Sequence, residues 1–188
     1  SWASLTIYLF KTTVLKKILN EIRQQNDSFE FGRDIIPCMI KQYRVYGYKF
    51  YGYWGYTRTI SEFWQANMDT LGDNPKINID NWKIRTNLDH RSIRDRIPTL
   101  ISSDAIVKNS LIPHGCVIEG KVINSILFPG VKVKKGAVVR DSILMFDSIV
   151  QENAFLKNVI LDTDVTIGHN AYLGHSSKKE KISSNFSK

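Results

Sequence analysis

The chain has 188 residues, 43% of them hydrophobic and 23% charged, the profile of a folded protein rather than a disordered or collagen-like one. Lysine and arginine (26) exceed aspartate and glutamate (18), a formal charge of +8, but the surplus is spread: 15 against 10 over residues 1–100, and 11 against 8 over residues 101–188. No concentrated basic stripe is visible, so charge points to anionic small molecules at least as readily as to nucleic acid, and no nucleic-acid partner is expected.

Two cysteines, Cys38 and Cys116, each flanked by apolar residues, exclude a disulfide framework, and no Cys/His cluster has zinc spacing. A reducing cytoplasm is the expected location. No apolar run approaches the ~18 residues of a membrane helix, so no membrane partner is expected. The chain opens at Ser1-Trp2-Ala3 and runs directly into an apolar segment, so it is expected to be a piece of a longer polypeptide.

In chain order, Leu5-Thr6-Ile7-Tyr8-Leu9-Phe10 reads as a strand. Val14, Leu15, Ile18, Leu19 and Ile22 have helical spacing, with Thr12 or Thr13 as N-cap. A second helix is predicted around Asp34 to Gln42, with Pro37 tolerated in its first turn. Val45 to Phe50 reads as a strand, and Ile60 to Leu71 as a helix with Ile60, Phe63, Trp64, Met68 and Leu71 on one face. Strand–helix–helix–strand–helix is an α/β fragment, too short for a complete doubly wound domain. Without further parallel strands to pack against, it is expected to expose an apolar face or to exchange elements with another copy. Residues 72–100 form a polar connector, longer than most loops.

From Ile106 the helical period vanishes. Four rows align: Asn109-Ser110-Leu111-Ile112, Asn124-Ser125-Ile126-Leu127, Asp141-Ser142-Ile143-Leu144 and Asn158-Val159-Ile160-Leu161, at offsets of 15, 17 and 17 residues. Gly115, Gly130, Asp147 and Asp164 fall six residues into each row, where a tight turn is expected. A repeat near 18 built from six-residue steps predicts a parallel β-helix, one coil per row, over residues 101–174. Its end coil needs a cap or a partner. The Ser- and Lys-rich residues 175–188 read as a disordered tail.

Phe29-Glu30-Phe31-Gly32-Arg33-Asp34-Ile35-Ile36-Pro37, Gly52-Tyr53-Trp54-Gly55-Tyr56-Thr57-Arg58-Thr59-Ile60 and Trp64-Gln65-Ala66-Asn67-Met68, together with Trp82-Lys83-Ile84-Arg85-Thr86, Asn109-Ser110-Leu111 and Leu127-Phe128-Pro129-Gly130-Val131, are similar in order and spacing to the C-terminal half of glucose-1-phosphate adenylyltransferases. The resemblance covers nearly the whole chain. It implies an α/β architecture: residues 1–71 as the C-terminal part of a Rossmann-like nucleotidyltransferase domain, then the connector, then a left-handed parallel β-helix of hexapeptide type used in allostery and oligomerisation. The implied reaction is attack of a glucose-1-phosphate oxygen on the α-phosphorus of ATP, giving ADP-glucose and pyrophosphate for glycogen or starch synthesis. The implied assembly is a homo- or hetero-oligomer, a tetramer in the family. Such a transfer needs charge neutralisation and in-line placement more than acid–base chemistry. The family's glycine-rich phosphate loop is absent from these 188 residues, so no catalytic residue is assigned and the chain alone is expected to be inactive.

By match to the family motif, Ser4 and Tyr8 would face the hexose, Glu30 would accept hydrogen bonds from sugar hydroxyls beside Phe31, and Trp54 would pack against the sugar. Apart from the resemblance, Ser4, Tyr8 and Trp54 read as packing residues and Glu30 as a solvated loop charge. The family usually carries Trp-x-Asp-Val-Gly-Thr, whose Asp helps hold catalytic Mg²⁺. Here that position is Tyr56, a poor ligand for a hard cation, and the family's glycine is Arg58, a fixed cation for a phosphate contact. Mg²⁺ is therefore expected for the parent enzyme, with no metal held by these residues. Tyr56 leaves open a non-catalytic regulatory subunit that still binds sugar phosphate. A third reading, a hexapeptide acyltransferase or scaffold, would use His114 or His169 as base, although both sit at turns and read as surface residues. Arg85, Arg91, Arg94 and Arg96 are a candidate site for an anionic effector, or else a solvated or interface charge cluster.

Overall fold

The computed structural model describes residues 3–24, 30–83, 89 and 95–174. The chain divides into two compact units, Ser1–Trp54 and Gly55–Lys188.

In the first unit, helix α1 (Thr12–Arg23), a π-helical turn (Phe31–Ile35) and helix α2 (Ile36–Gln42) enclose a small core of Ile18, Ile22, Ile35 and Met39. The periodicity of α1 is as predicted, but its N-cap is Lys11, with no side-chain cap, rather than Thr12 or Thr13. Ahead of α2, with Pro37 in its first turn, the chain widens into the π turn, in which Ile35 N–H reaches Glu30 C=O at 3.2 Å. Neither Leu5–Phe10 nor Val45–Phe50 forms a strand among the described residues. Thr6 stands at φ +58°, which breaks the alternation of its segment. No neighbouring strand satisfies the backbone of either segment, and Ile7, Leu9, Tyr46 and Tyr48 are 75%, 101%, 82% and 90% exposed.

The second unit opens with helix α3 (Ile60–Met68), capped reciprocally by Thr59 and Glu62. Among the described residues thirteen strands follow: β1 (Leu100–Ile101), β2 (Ile106–Lys108), β3 (Val117–Ile118), β4 (Lys121–Ile123), β5 (Ile126–Leu127), β6 (Lys132–Val133), β7 (Val138–Arg140), β8 (Ile143–Leu144), β9 (Ile149–Val150), β10 (Phe155–Lys157), β11 (Ile160–Leu161), β12 (Thr166–Ile167) and β13 (Tyr172–Leu173). They form three parallel sheets, β1-β3-β6-β9-β12, β2-β4-β7-β10-β13 and β5-β8-β11, a solenoid of about four turns. The register reproduces the sequence offsets. Lys121 pairs with Ile106 fifteen residues earlier, then Val138, Phe155 and Tyr172 follow at seventeen.

The four corner residues read from the repeat, Gly115, Gly130, Asp147 and Asp164, have φ of +78°, +83°, +57° and +59°. Asn109, Asn124, Asp141 and Asn158, which open the four rows, are also left-handed, and their side chains link successive coils: Asn109 Nδ2 donates to Asn124 Oδ1 at 2.8 Å and Asn124 Nδ2 to Asp141 Oδ1 at 2.6 Å. The serine one residue on makes a second ladder. Ser125 Oγ donates to Ile123 C=O at 2.8 Å and accepts Ser142 N–H at 3.1 Å. Ser142 Oγ donates to Arg140 C=O at 2.6 Å and accepts Val159 N–H at 3.1 Å. Both serines are fully buried, which is tolerable because each hydroxyl both donates and accepts. Inward Val122, Val139 and Leu156 stack in register within a continuous core, each contributing roughly 1.5–3 kcal/mol by burial.

The face of α3 packs on the outer side of the three-stranded sheet. Met68, Phe63, Trp64 and Leu71 cover Ile126 and Ile143, which point away from the core yet are 7% and 0% exposed. Trp64 Nε1 donates to Asp141 C=O at 2.8 Å, pinning the helix to a corner. Ile60, assigned to this face by its spacing, is instead 80% exposed, because the covered stripe begins one turn later.

Candidate functional site

Four of the residues matched to the hexose site lie in the first unit's opening segment and π turn. Ser4 Oγ and Tyr8 OH are 3.1 Å apart, two hydroxyls that share one hydrogen and keep further donor and acceptor capacity. The Tyr8 ring stacks on Phe31 (6.0 Å between centroids, 18° between planes), and Phe10 contacts both at 6.0 and 5.8 Å. Phe10 was not singled out from the sequence. Its position two residues from Tyr8, on the same side of an extended segment, was the available signal. A Cβ on Gly32 would lie 3.9 Å from Tyr8 OH, so the backbone passes close to the hydroxyl.

Glu30 is exposed and its N–H donates to Asp34 Oδ2 at 2.7 Å, while Arg33 forks onto the same carboxylate through Nε at 3.0 Å and Nη2 at 3.0 Å. Hydrogen bonds from the Arg33 guanidinium and the Glu30 N–H hold the Asp34 carboxyl below its usual range. Asp34 thus organises the turn, and Glu30 is the carboxylate left to face a ligand. Trp54 is 41% exposed at the end of the unit and is not part of the ring cluster. Together, an aromatic floor, two coupled hydroxyls and a free carboxylate can hold a polyhydroxylated ring by stacking and by paired donors and acceptors.

In the second unit, Tyr56 is 41% exposed and the Arg58 guanidinium carbon lies 5.4 Å from its ring centroid, a cation–π pair. A fixed guanidinium beside a neutral phenol disfavours a divalent cation there. Among the described residues, no three His, Cys, Asp or Glu side chains gather to hold a metal. The residues present do not fit a magnesium ion at this position.

Of the four connector arginines singled out from the sequence, Arg96 lies among the described residues. Its guanidinium is bidentate to Asp147, Nη1 to Oδ1 at 2.5 Å and Nη2 to Oδ2 at 2.7 Å, and its stem crosses Gly115, where a Cβ would come within 2.7 Å of Cδ. A Cβ on Gly130 would strike both Arg96 Nη1 and Asp147 Oδ1. The pair holds the Asp147 carboxyl below its usual range. Arg96 therefore clamps the connector to the solenoid corner, and an effector anion there would have to displace Asp147. Arg85, Arg91, Arg94 and the tail 175–188 lie outside the described residues. His169 Nδ1 is 2.7 Å from Glu152 Oε2 and, like His114, is exposed at a turn. No helix among the described residues is long and apolar enough to cross a membrane.

Comparison with known proteins matches residues 1–72 to the nucleotidyl transferase family and residues 99–188 to the GlmU-like, C-terminal hexapeptide family. The chain is 38% identical to a glucose-1-phosphate adenylyltransferase of Acetivibrio thermocellus over 92% of its own length and 40% of the relative's. It is 36% identical to one of Desulforamulus reducens over 92% of its length and 43% of the relative's, and 41% identical to one of Thermosipho melanesiensis over 73% and 33%. The first compact unit ends at Trp54 while the nucleotidyl transferase match runs to residue 72, so α3 belongs by sequence to one part and by packing to the other. The chain spans about two fifths of the length of the first two of these relatives, and over that span it is similar to glucose-1-phosphate adenylyltransferases.

Proposed function

We propose that this chain supplies the hexose-side wall and the solenoid of a sugar-phosphate nucleotidyltransferase that converts ATP and glucose-1-phosphate to ADP-glucose and pyrophosphate. The observation that carries this reading is the Ser4–Tyr8 hydroxyl pair on the Tyr8–Phe31–Phe10 floor, at the positions the family resemblance assigns to the sugar. Ser4 and Tyr8 orient the ring, Glu30 accepts from its hydroxyls, and Trp54 shields one side. Residues 1–71 belong to the catalytic domain, 72–100 are the connector and 101–174 the oligomerising solenoid. The assembly is a cytoplasmic tetramer subject to allosteric effectors. Mg²⁺ serves the parent reaction without a ligand from Tyr56.

A second reading is favoured by one observation, Arg58 lying against Tyr56 where the family has an acidic residue. On that reading the chain belongs to a regulatory subunit that binds sugar phosphate and tunes a catalytic partner, and Arg58 contacts the phosphate.

The test is calorimetric binding of glucose-1-phosphate to the chain. Pyrophosphate release from ATP, glucose-1-phosphate and Mg²⁺ is also measured, by the chain alone and mixed with the Acetivibrio thermocellus relative. Binding that Tyr8→Ala weakens about tenfold is expected, the loss of a stacked ring and a hydroxyl. No binding overturns the hexose wall. Turnover by the chain alone supports the first reading; silence alone, with altered turnover of the relative on mixing, supports the second.

A further inference from the structure

Helix α3 is anchored to the solenoid at two points on one column of corners. Trp64 Nε1 donates to Asp141 C=O at 2.8 Å, and beyond the helix Gly72 N–H donates to Asn109 Oδ1 at 2.7 Å. Asn109 and Asp141 are joined to each other through Asn124, by side-chain bonds of 2.8 and 2.6 Å. The two anchors stand two coils apart, about 10 Å at the usual strand spacing, a span that the chain from Trp64 to Gly72 covers. The N-terminal end of α3 carries the Tyr56–Arg58 segment. Thr59 and Glu62 fix that junction: Glu62 N–H donates to Thr59 Oγ1 at 3.2 Å, and Thr59 N–H to Glu62 Oε2 at 3.1 Å. Trp64 lies one turn further on. Gly55–Lys188 form one compact unit, so Tyr56 and Arg58 belong to the same unit as the solenoid.

We infer that Trp64 is a positioning residue, which through Asp141 fixes the Tyr56–Arg58 segment to the corner column of the solenoid. This role rests on the reading that sets Arg58 against the phosphate, and it gives the solenoid a physical hold on that contact. Three features select Trp64. Phe63, Met68 and Leu71 meet Ile126 and Ile143 through apolar contact, which is non-directional and leaves the helix free to slide or roll on the sheet. The indole N–H is directional, so its bond sets both the height and the rotation of α3. Its acceptor is itself held. Asp141 stands at φ +49°, its N–H donates to Ile123 C=O at 3.1 Å, and its carboxylate accepts from Asn124 on the preceding coil. A shift of that corner therefore moves α3, and with it the residues joined to its capped end.

The experiment attaches a nitroxide at Thr57→Cys in the full chain, with Cys38→Ser, and reads its mobility by electron paramagnetic resonance; Cys116 is fully buried. Trp64→Phe keeps a ring over Ile126 and Ile143 but removes the donor, and the label is expected to tumble at least about twofold faster. Leu156→Ala, a larger loss in the core away from α3, leaves the label unchanged. Calorimetry with glucose-1-phosphate adds a double-mutant cycle, in which Arg58→Ala weakens binding about tenfold in the unaltered chain and less than about threefold beside Trp64→Phe. If Trp64→Phe disturbs folding by circular dichroism, Asn124→Gly carries the same expectation and decides, since it keeps the left-handed backbone and cuts the column between the two anchors. An unchanged label, equal release by Leu156→Ala, or additivity in the cycle each overturn the role of Trp64. A released label without any glucose-1-phosphate binding upholds the attachment and overturns the sugar-phosphate reading instead.

Discussion

The two units answer the same physical demand in different ways. In the solenoid each short strand finds its partner fifteen or seventeen residues away, so backbone hydrogen bonds, corner side chains and core residues are all supplied by the next coil. In the first unit, α1 and α2 close their own hydrogen bonds and bury a small shared core, but the two apolar segments beside them have no ladder to join. Leu156 and Leu9 mark the contrast: the first is 0% exposed, the second 101%. Hydrophobic character predicts burial only where the fold brings up a second surface.

Truncation of these two leucines is the sharpest way to break that comparison. Leu156→Ala is expected to cost about 2–5 kcal/mol in denaturant unfolding, through lost burial and a cavity between coils. Gly130→Ala is expected to cost about 2–3 kcal/mol, since its φ is +83° and its Cβ would strike the Arg96–Asp147 clamp. Gly72→Ala, at φ +101° but with open space around it, should cost only about 1 kcal/mol, so equal losses would show that backbone strain alone acts. Ser142→Ala strands the Val159 N–H in the core and should cost about 1–2 kcal/mol.

Acid gives a smaller effect. Arg96 depresses the Asp147 carboxyl, so its contribution is complete above the unfolded-state value near ~4 and disappears as pH falls through the lower folded value. Asp147→Asn should lower stability by roughly 1 kcal/mol at neutral pH and flatten its decline in that acid window. The smallest effect belongs to Leu9→Ala, which should stay within about 0.5 kcal/mol. A large loss there would mean that the first unit's apolar segments are ordered against something in solution, and the contrast between the units would fail.

Part of the candidate site was legible in the same way. Ser4, Tyr8 and Phe31 do come together, but Phe10 joins them through an extended backbone rather than a paired strand, and the Asp34 carboxylate takes the Glu30 N–H, a contact the sequence reading did not name. Arg96 was legible as a cation, while its partner Asp147, fifty-one residues away, was not.

The sequence by itself determined the solenoid, its coil length and its corners, because each is a local rule repeated: an inward β-branched or leucine residue, then a residue tolerant of positive φ. It also determined the helices, whose hydrogen bonds close within the segment. Only the tertiary structure decided that α3 covers the three-stranded sheet, that Arg96 closes on Asp147, and that Trp64 and Gly72 hold to one column of corners. Those relations depend on which coil stands beside which, and charge or period within a local window carries no record of it.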